Sequence, residues 1–244
     1  MKYAIIAAGE GSRLAAEGVD VPKPLVKING ECLIDRLVRI FMDNHATEIV
    51  VICNHLTELV AKHLEHLQHR LAAERKVCLR LLVKTTPSSM HSFYEISKWM
   101  GKEPFVLSTV DTIFREEEFT AYVQSFIDAV TRQSMDGLMG VTDYVDDEKP
   151  LYVKTDGTLG ITGFYDTNEN HCRYVSGGIY GLTSKAVMTL NGCMERGESR
   201  MRNFQRALIR DGQVLKAYPF TKVLDIDHAV DIIKAEMFLK EQNL

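Results

Sequence analysis

YAIIAAGEGSRL, residues 3–14, decides how the rest of the chain is read. A mostly apolar run enters a turn with two glycines. This is the pattern of a buried strand opening into a loop where backbone comes close to a ligand. Phosphate is the ligand such loops suit best, because successive backbone N–H groups form an anion-binding concavity. A dinucleotide fingerprint needs a third glycine for close helix–strand packing, and Leu14 stands in its place. The G-x-x-x-x-G-K-S/T phosphate loop is absent as well. The stretch carries Arg13 instead, whose planar guanidinium grips phosphate as a bidentate fork. A plain glycine turn is the alternative that the stretch alone leaves open.

Outward from this turn, strand-like and helix-like segments alternate. Leu33–Asn44 repeats apolar residues at helical spacing, and EIVVIC (48–53) is a β-branched run. Leu56, Val60, Leu64, Leu67 and Leu71 line one face of a second helix. Val77–Val83 and Phe105–Thr109 read as strands, with helices over Ser92–Met100 and Glu116–Thr131. This alternation predicts an α/β fold: a mostly parallel sheet with helices on both faces and right-handed crossovers. After Gly137 the texture turns β-rich, through GLMGVTDY, PLYVKT, LGITGFY and CRYVSGGIYGL. These predict an added, partly antiparallel portion. Helices return at Ser184–Asn191 and Asn203–Arg210, followed by strand-like VLKAYPF, VLDID and a last helix over Ala229–Glu241. With no linker, repeat or low-complexity tract, residues 1–244 read as one domain.

The 244 residues carry a formal net charge of -4, so no basic surplus points to nucleic acid. No apolar run approaches the length of a membrane span, and the N-terminus lacks the form of a signal peptide. The five cysteines are scattered and form no C-x-x-C pair, which suits reduced thiols in a cytoplasm.

Five further stretches carry candidate chemistry. Lys23 stands between two prolines in VPKPLVKING, so its backbone is stiff, and with Arg13 it offers two cations to one polyphosphate. It also reads as a solvated loop lysine. Asp111 follows the strand FVLST at the ligand-binding edge expected of such a sheet; it reads as a Mg²⁺ ligand or a turn cap. Asp225 and Asp227 alternate in VLDID, on one strand face, while Asp227 or His228 also suits the N-cap of the last helix. Gly177 and Gly178 mark either close backbone approach by a ligand or a bulge. Ser88, Ser89 and Ser92, with Thr85 and Thr86, offer hydroxyls to a nucleobase edge or to a helix cap. His63, His66 and His69 are spaced too widely on a helix to converge on one metal and read as a solvated face.

Together, AAGEGSRL (7–14), PKPL (22–25), STVD (108–111) and DIDHAVDI (225–232) resemble the nucleotidyltransferase superfamily that makes nucleoside-diphosphate sugars and related activated alcohols. The resemblance spans the chain. TTPSSMHSFYEI and DIDH are similar also to its phosphocholine cytidylyltransferase branch. His228 and Ala229 depart from the usual T-P, so Asp225 matches the metal ligand of the sugar-activating branches and Asp227 that of the D-x-D branches.

The resemblance implies a Rossmann-like, three-layer α/β/α nucleotidyltransferase fold and Mg²⁺-dependent transfer of a nucleoside monophosphate. The donor is an NTP and the acceptor a small phosphomonoester, foremost a sugar 1-phosphate. It implies Ala7, Ala8, Gly9, Gly11, Ser12, Arg13, Ser88, Ser89 and Ser92 at the nucleotide, and Lys23, Gly177 and Gly178 at the acceptor. Asp111, Asp225 and Asp227 would hold metal, with Arg13 and Lys23 catalytic. CTP-dependent transfer to phosphocholine or another phospho-alcohol is the alternative. A non-catalytic nucleotide-binding regulatory domain is the alternative of another class. The base, the acceptor and any homo-oligomer stay open.

Overall fold

In the computed structural model, which describes residues 1–241, both faces of the first strand are buried. The chain starts with β1 (Lys2–Ala7), α1 (Ser12–Ala16), a 3-10 turn at Lys23–Leu25, β2 (Lys27–Ile28), β3 (Glu31–Cys32) and α2 (Leu33–Asp43). β4 (Glu48–Cys53), α3 (Glu58–Ala73), β5 (Cys78–Val83), α4 (Ser89–Ser97) and β6 (Phe105–Thr109) follow. Next come β7 (Thr112–Ile113), α5 (Glu116–Thr131), β8 (Gly137–Thr142), β9 (Tyr152–Thr155), β10 (Ile161–Tyr165) and β11 (Tyr174–Leu182). α6 (Ser184–Glu195), α7 (Met201–Arg210), β12 (Leu215–Phe220), β13 (Leu224–Asp225) and α8 (Ala229–Lys240) close the series.

β5, β4, β1 and β6 lie side by side and parallel, as the alternating half of the sequence predicts. β11 then runs antiparallel to β6 and carries β8 on its other edge, with β12 parallel to β8. β9 and β10 extend from the N-terminal end of β11, completing a nine-stranded sheet. The antiparallel strands are therefore continuous with the parallel core, within one sheet.

Two hydrophobic cores flank this sheet. Tyr3, Ile5 and Ala7 face the core under α2, α3, α5 and α8, and Ala4 and Ile6 face the core under α4, α6 and α7. Strands buried on both faces read as unbroken apolar runs, which is why YAIIA and EIVVIC show no polar alternation. On the first side Tyr3 stacks on Phe41 at 4.5 Å, and Phe119 stacks on Phe114 at 4.8 Å. Offset aromatic contacts of this kind add to the apolar area that they bury. Leu56 departs from its expected place: α3 starts at Glu58, and Leu56 lies before it, 69% exposed. No described helix is long and apolar enough to cross a membrane.

Candidate active site

The parallel strands all deliver their C-terminal ends to one edge, where open α/β sheets bind ligands. β1 ends there at Ala7 and β6 at Thr109. Gly11 is the left-handed residue of the first loop, with φ of 63°, and it caps α1. A Cβ there would lie 3.2 Å from Lys23 Cβ, so glycine also lets the Lys23 turn pack close. Gly9, the other glycine of the turn, is not among the glycines with positive φ. Asn54 pins the loop from beneath: its Nδ2 donates to the Ala8 carbonyl at 3.0 Å, and Thr57 Oγ1 donates to its Oδ1 at 3.0 Å.

Lys23 is the centre of the charge arrangement. Its Nζ donates to Asp111 Oδ2 at 2.8 Å and to Asp227 Oδ1 at 2.6 Å, and the side chain is only 11% exposed. Arg13 reaches the other oxygen of Asp227 at 2.7 Å. Burial alone would push the Lys23 ammonium down, but Asp111 and Asp227 outweigh it and hold the group well above the usual lysine range. Burial likewise opposes ionisation of Asp227, yet Lys23 and Arg13 hold its carboxyl below the usual range. Asp227 N–H and His228 N–H both donate to Asp231, while the His228 ring through Nδ1 and the Ala229 N–H reach Glu17. The first helical turn of α8 is thus fastened to the end of α1. His228 and Asp231 form a capping box there, so His228 takes the cap that the sequence left open between it and Asp227.

Asp225 is handled differently. β13 pairs antiparallel with β7, setting Asp225 opposite Thr112, and Ile226 N–H donates to the Asp111 carbonyl at 3.1 Å. This short ladder brings together two segments more than a hundred positions apart. Solvent reaches Asp225 from the cleft, but no lysine or arginine pairs with it among the described residues. Desolvation on the cleft floor, with Asp111, Asp147 and Asp227 nearby, pushes its carboxyl well above the usual carboxylate range. Crowded carboxyl oxygens whose ionisation is held back for want of a pairing cation fit a divalent cation such as Mg²⁺, which binds through one or two carboxylates plus substrate phosphates. Among the described residues no group of three or more His, Cys, Asp or Glu is assembled as a ready cage. Asp111, Asp225 and Asp227 therefore meet as neighbours in one cleft, with two of the three tied to Lys23.

A cavity of about 430 Å³ opens beside this cluster. Ala8, Gly9, Gly11, Lys23, Asp111, Thr86, Ser88, Ser89 and Ser92 line it, so the loop, the lysine and the serines do come together. Ser92 Oγ is bonded to Thr86 Oγ1 at 2.6 Å, and Ser88 Oγ to His91 Nδ1 at 2.9 Å. Neither serine supplies a side-chain cap to α4. Three expected contacts fall outside the cavity: Arg13 lines the adjoining cleft beside Asp227, and the other two are turned away from both. Ala7 is 1% exposed with its methyl in the first core, and Ser12 lies on the exposed first turn of α1.

Gly177 and Gly178 sit where the β11–β8 register shifts, so they form a bulge. The atoms that approach them closely belong to the protein itself. A Cβ on Gly178, whose φ is 71°, would meet Thr112 Oγ1 at 2.8 Å, and one on Gly177 would meet Val223 at 3.2 Å. Gly178 borders a second cavity of about 290 Å³, which shares Ser89, Thr109 and Asp111 with the first. Its other lining residues, among them Ser176, Lys149, Arg200 and Gln205, were not legible in the sequence. Ser176 adjoins the Gly177–Gly178 pair in sequence, and Arg200 and Gln205 lie at the start of α7, while Lys149 has no such neighbour.

The sequence profile of the nucleotidyl transferase family matches residues 2–242. The chain belongs to the nucleotidyl transferase family. No curated protein is significantly similar in sequence. Solved structures share the fold along the full length. The putative glucose-1-phosphate thymidylyltransferase from Bacillus anthracis superposes with a TM-score of 0.81 at 18% identity, covering 99% of this chain and 96% of that one. Apo UDP-glucose pyrophosphorylase gives 0.80 at 15% identity, with 100% of both chains covered. The inositol-1-phosphate CTP transferase from T. maritima gives 0.75 at 18% identity, covering 98% and 96%. The chain is thus a nucleotidyltransferase by family, with the mixed α/β architecture of these neighbours.

Proposed function

We propose that residues 1–244 act as one domain that transfers a nucleoside monophosphate from an NTP to a small phosphomonoester, foremost a sugar 1-phosphate, releasing pyrophosphate. The observation that carries this reading is the buried Lys23, held between Asp111 and Asp227 where two cavities meet. An ion cluster at the ligand edge of the sheet is poised to exchange internal partners for phosphate and metal.

In this reading the triphosphate lies along Gly9–Gly11 in the first cavity and the acceptor in the second. An acceptor phosphate oxygen attacks the α-phosphorus, and the bond from that phosphorus to its bridging oxygen breaks. Pyrophosphate carries the electron pair away. The nucleophile has a second pKa of about 6 and is already ionised near neutral pH, so no strong general base is needed. Lys23 holds the α-phosphate, and Arg13 turns from Asp227 to the leaving pyrophosphate. Asp111 and Asp225 would hold Mg²⁺, which supplies charge neutralisation for the phosphates. Asp227 orients both cations until the triphosphate takes them.

Phosphocholine transfer is the second reading, because Asp146, Asp147 and Glu148 gather with Tyr144 along an adjoining cleft that suits a cation. Pyrophosphate release across a matrix of NTPs and phosphomonoesters with Mg²⁺ tests the proposal. At least one pair should turn over, and Asp111→Asn should nearly abolish it with folding intact. Unaltered turnover by that variant would remove Asp111 from the metal site.

A further inference from the structure

Thr112 is a hydroxyl placed where the fold needs only an apolar side chain. It is 0% exposed, in the two-residue strand β7, and its register partner is Asp225 on β13. Ile226 N–H donates to the Asp111 carbonyl at 3.1 Å just outside this pair. Thr112 and Asp225 are therefore a non-hydrogen-bonded pair, the kind whose side chains stand closest. Thr112 Oγ1 donates to Asp225 Oδ1 at 3.5 Å, and no other side chain donates to Asp225 among the described residues. Valine has nearly the same shape and would bring no buried hydroxyl to satisfy.

A second hydroxyl lies behind the first. Thr109 Oγ1 and Thr112 Oγ1 are 2.6 Å apart, and either can donate. An ionised carboxylate only accepts. With Asp225 in that form the chain has one consistent direction: Thr109 gives its proton to Thr112, and Thr112 gives its own to Asp225. A contact of 3.5 Å is long, as such bonds often are before substrate arrives, and they tighten in the reacting complex.

The β11 bulge keeps both hydroxyls in place. A Cβ on Gly178 would meet Thr112 Oγ1 at 2.8 Å and Thr109 Oγ1 at 3.0 Å, so the bare glycine backbone packs directly on the pair. Threonine is also stiff about χ1, which limits where its oxygen can turn. The acids around Asp225 have other ties. Lys23 pairs with Asp111 and Asp227, and Asp147 accepts from Lys149 N–H.

We infer that Thr112 is a positioning residue for the divalent cation: backed by Thr109 and the Gly178 backbone, it holds one oxygen of Asp225 and leaves the other to the metal. This deepens the nucleotidyl-transfer reading and rests on its metal site. Outer partners of this kind orient metal-binding carboxylates, and losing one typically costs about 10- to 100-fold in metal affinity.

Mn²⁺ titrated into the full chain, with and without NTP and followed by paramagnetic resonance, tests this beside the Mg²⁺ dependence of initial rates. Thr112→Val should weaken Mn²⁺ binding and raise the half-saturating Mg²⁺ roughly 10- to 100-fold, while its melting midpoint stays near that of the unaltered chain. Thr112→Ser keeps the hydroxyl and loses a buried methyl, so it should melt lower and yet bind metal well. A threonine needed only for packing predicts the opposite order. Thr109→Val, at the half-buried end of the chain, should weaken metal in the same direction as Thr112→Val, which guards against a folding defect in the first variant. Full-strength Mn²⁺ binding by both valine variants overturns the inference. So does a metal loss in Thr112→Ser as large as in Thr112→Val, or no Mn²⁺ binding by the unaltered chain. Metal loss confined to the valine variants, with no pyrophosphate release by the unaltered chain, would uphold the positioning role and refute the transfer reading alone.

Discussion

Lys23 and Arg13 share Asp227, one on each carboxylate oxygen. The three side chains form a closed set of charges, which a triphosphate would open in the proposed reading. Lys23→Met removes a buried cation from two carboxylates and is expected to lower kcat by about 10²–10³, the usual effect of one lost electrostatic contact in a reacting site. Steady-state kinetics check this, and unchanged kcat would take Lys23 out of the chemistry. Arg13→Ala should raise the KM for NTP or lower kcat, and unaltered kinetics would reduce GEGSRL to a turn. At this scale the sequence was informative where chain stiffness set the position: Lys23 between two prolines could hardly wander. It was uninformative for the two aspartates. Alternation put Asp225 and Asp227 on one strand face, but β13 ends at Asp225. Asp225 stays in the ladder beside Thr112 with no lysine or arginine paired to it among the described residues, while Asp227 passes toward α8 and takes both cations.

Among the elements, the short β7–β13 ladder and the β11 bulge fix the cleft. Gly178→Ala places a side chain on a left-handed residue and into the hydroxyls of Thr112 and Thr109. It should destabilise the fold by about 1–3 kcal/mol, and thermal melting checks that. An unshifted midpoint would mean that the bulge relaxes freely. Asp136 holds the far edge of the sheet, accepting from Lys185 Nζ at 2.7 Å and Val214 N–H at 2.9 Å. Burial alone would raise its carboxyl, yet these contacts hold it below the usual range. A depressed folded pKa gives stability that is present above the unfolded value of about 3.9 and is lost as pH falls through the folded one. Asp136→Asn should therefore cost about 1 kcal/mol near neutral pH and progressively less in acid. Denaturant titrations at the two conditions compare them, and an equal loss in both would contradict the assignment. The parallel elements were legible because doubly buried strands are unbroken apolar runs. Gln205 was not, because a buried polar residue in α7 has no signature in a helical repeat.

For the whole molecule, the sheet separates two cores and gathers the phosphate loop, Lys23 and Asp111 at one edge. That edge meets a second cavity, and in the proposed reading donor and acceptor would approach separately and meet at Asp111, which lines both. Transfer, as distinct from hydrolysis, depends on that arrangement, because two oriented reactants replace a random encounter with water. The direct measurement follows an NTP labelled on its α-phosphate, incubated with Mg²⁺ and a sugar 1-phosphate. The label should appear in a nucleotide-linked product, with one pyrophosphate released for each. Label confined to unreacted NTP or free nucleoside monophosphate, across the NTPs and acceptors tried, would contradict nucleotidyl transfer.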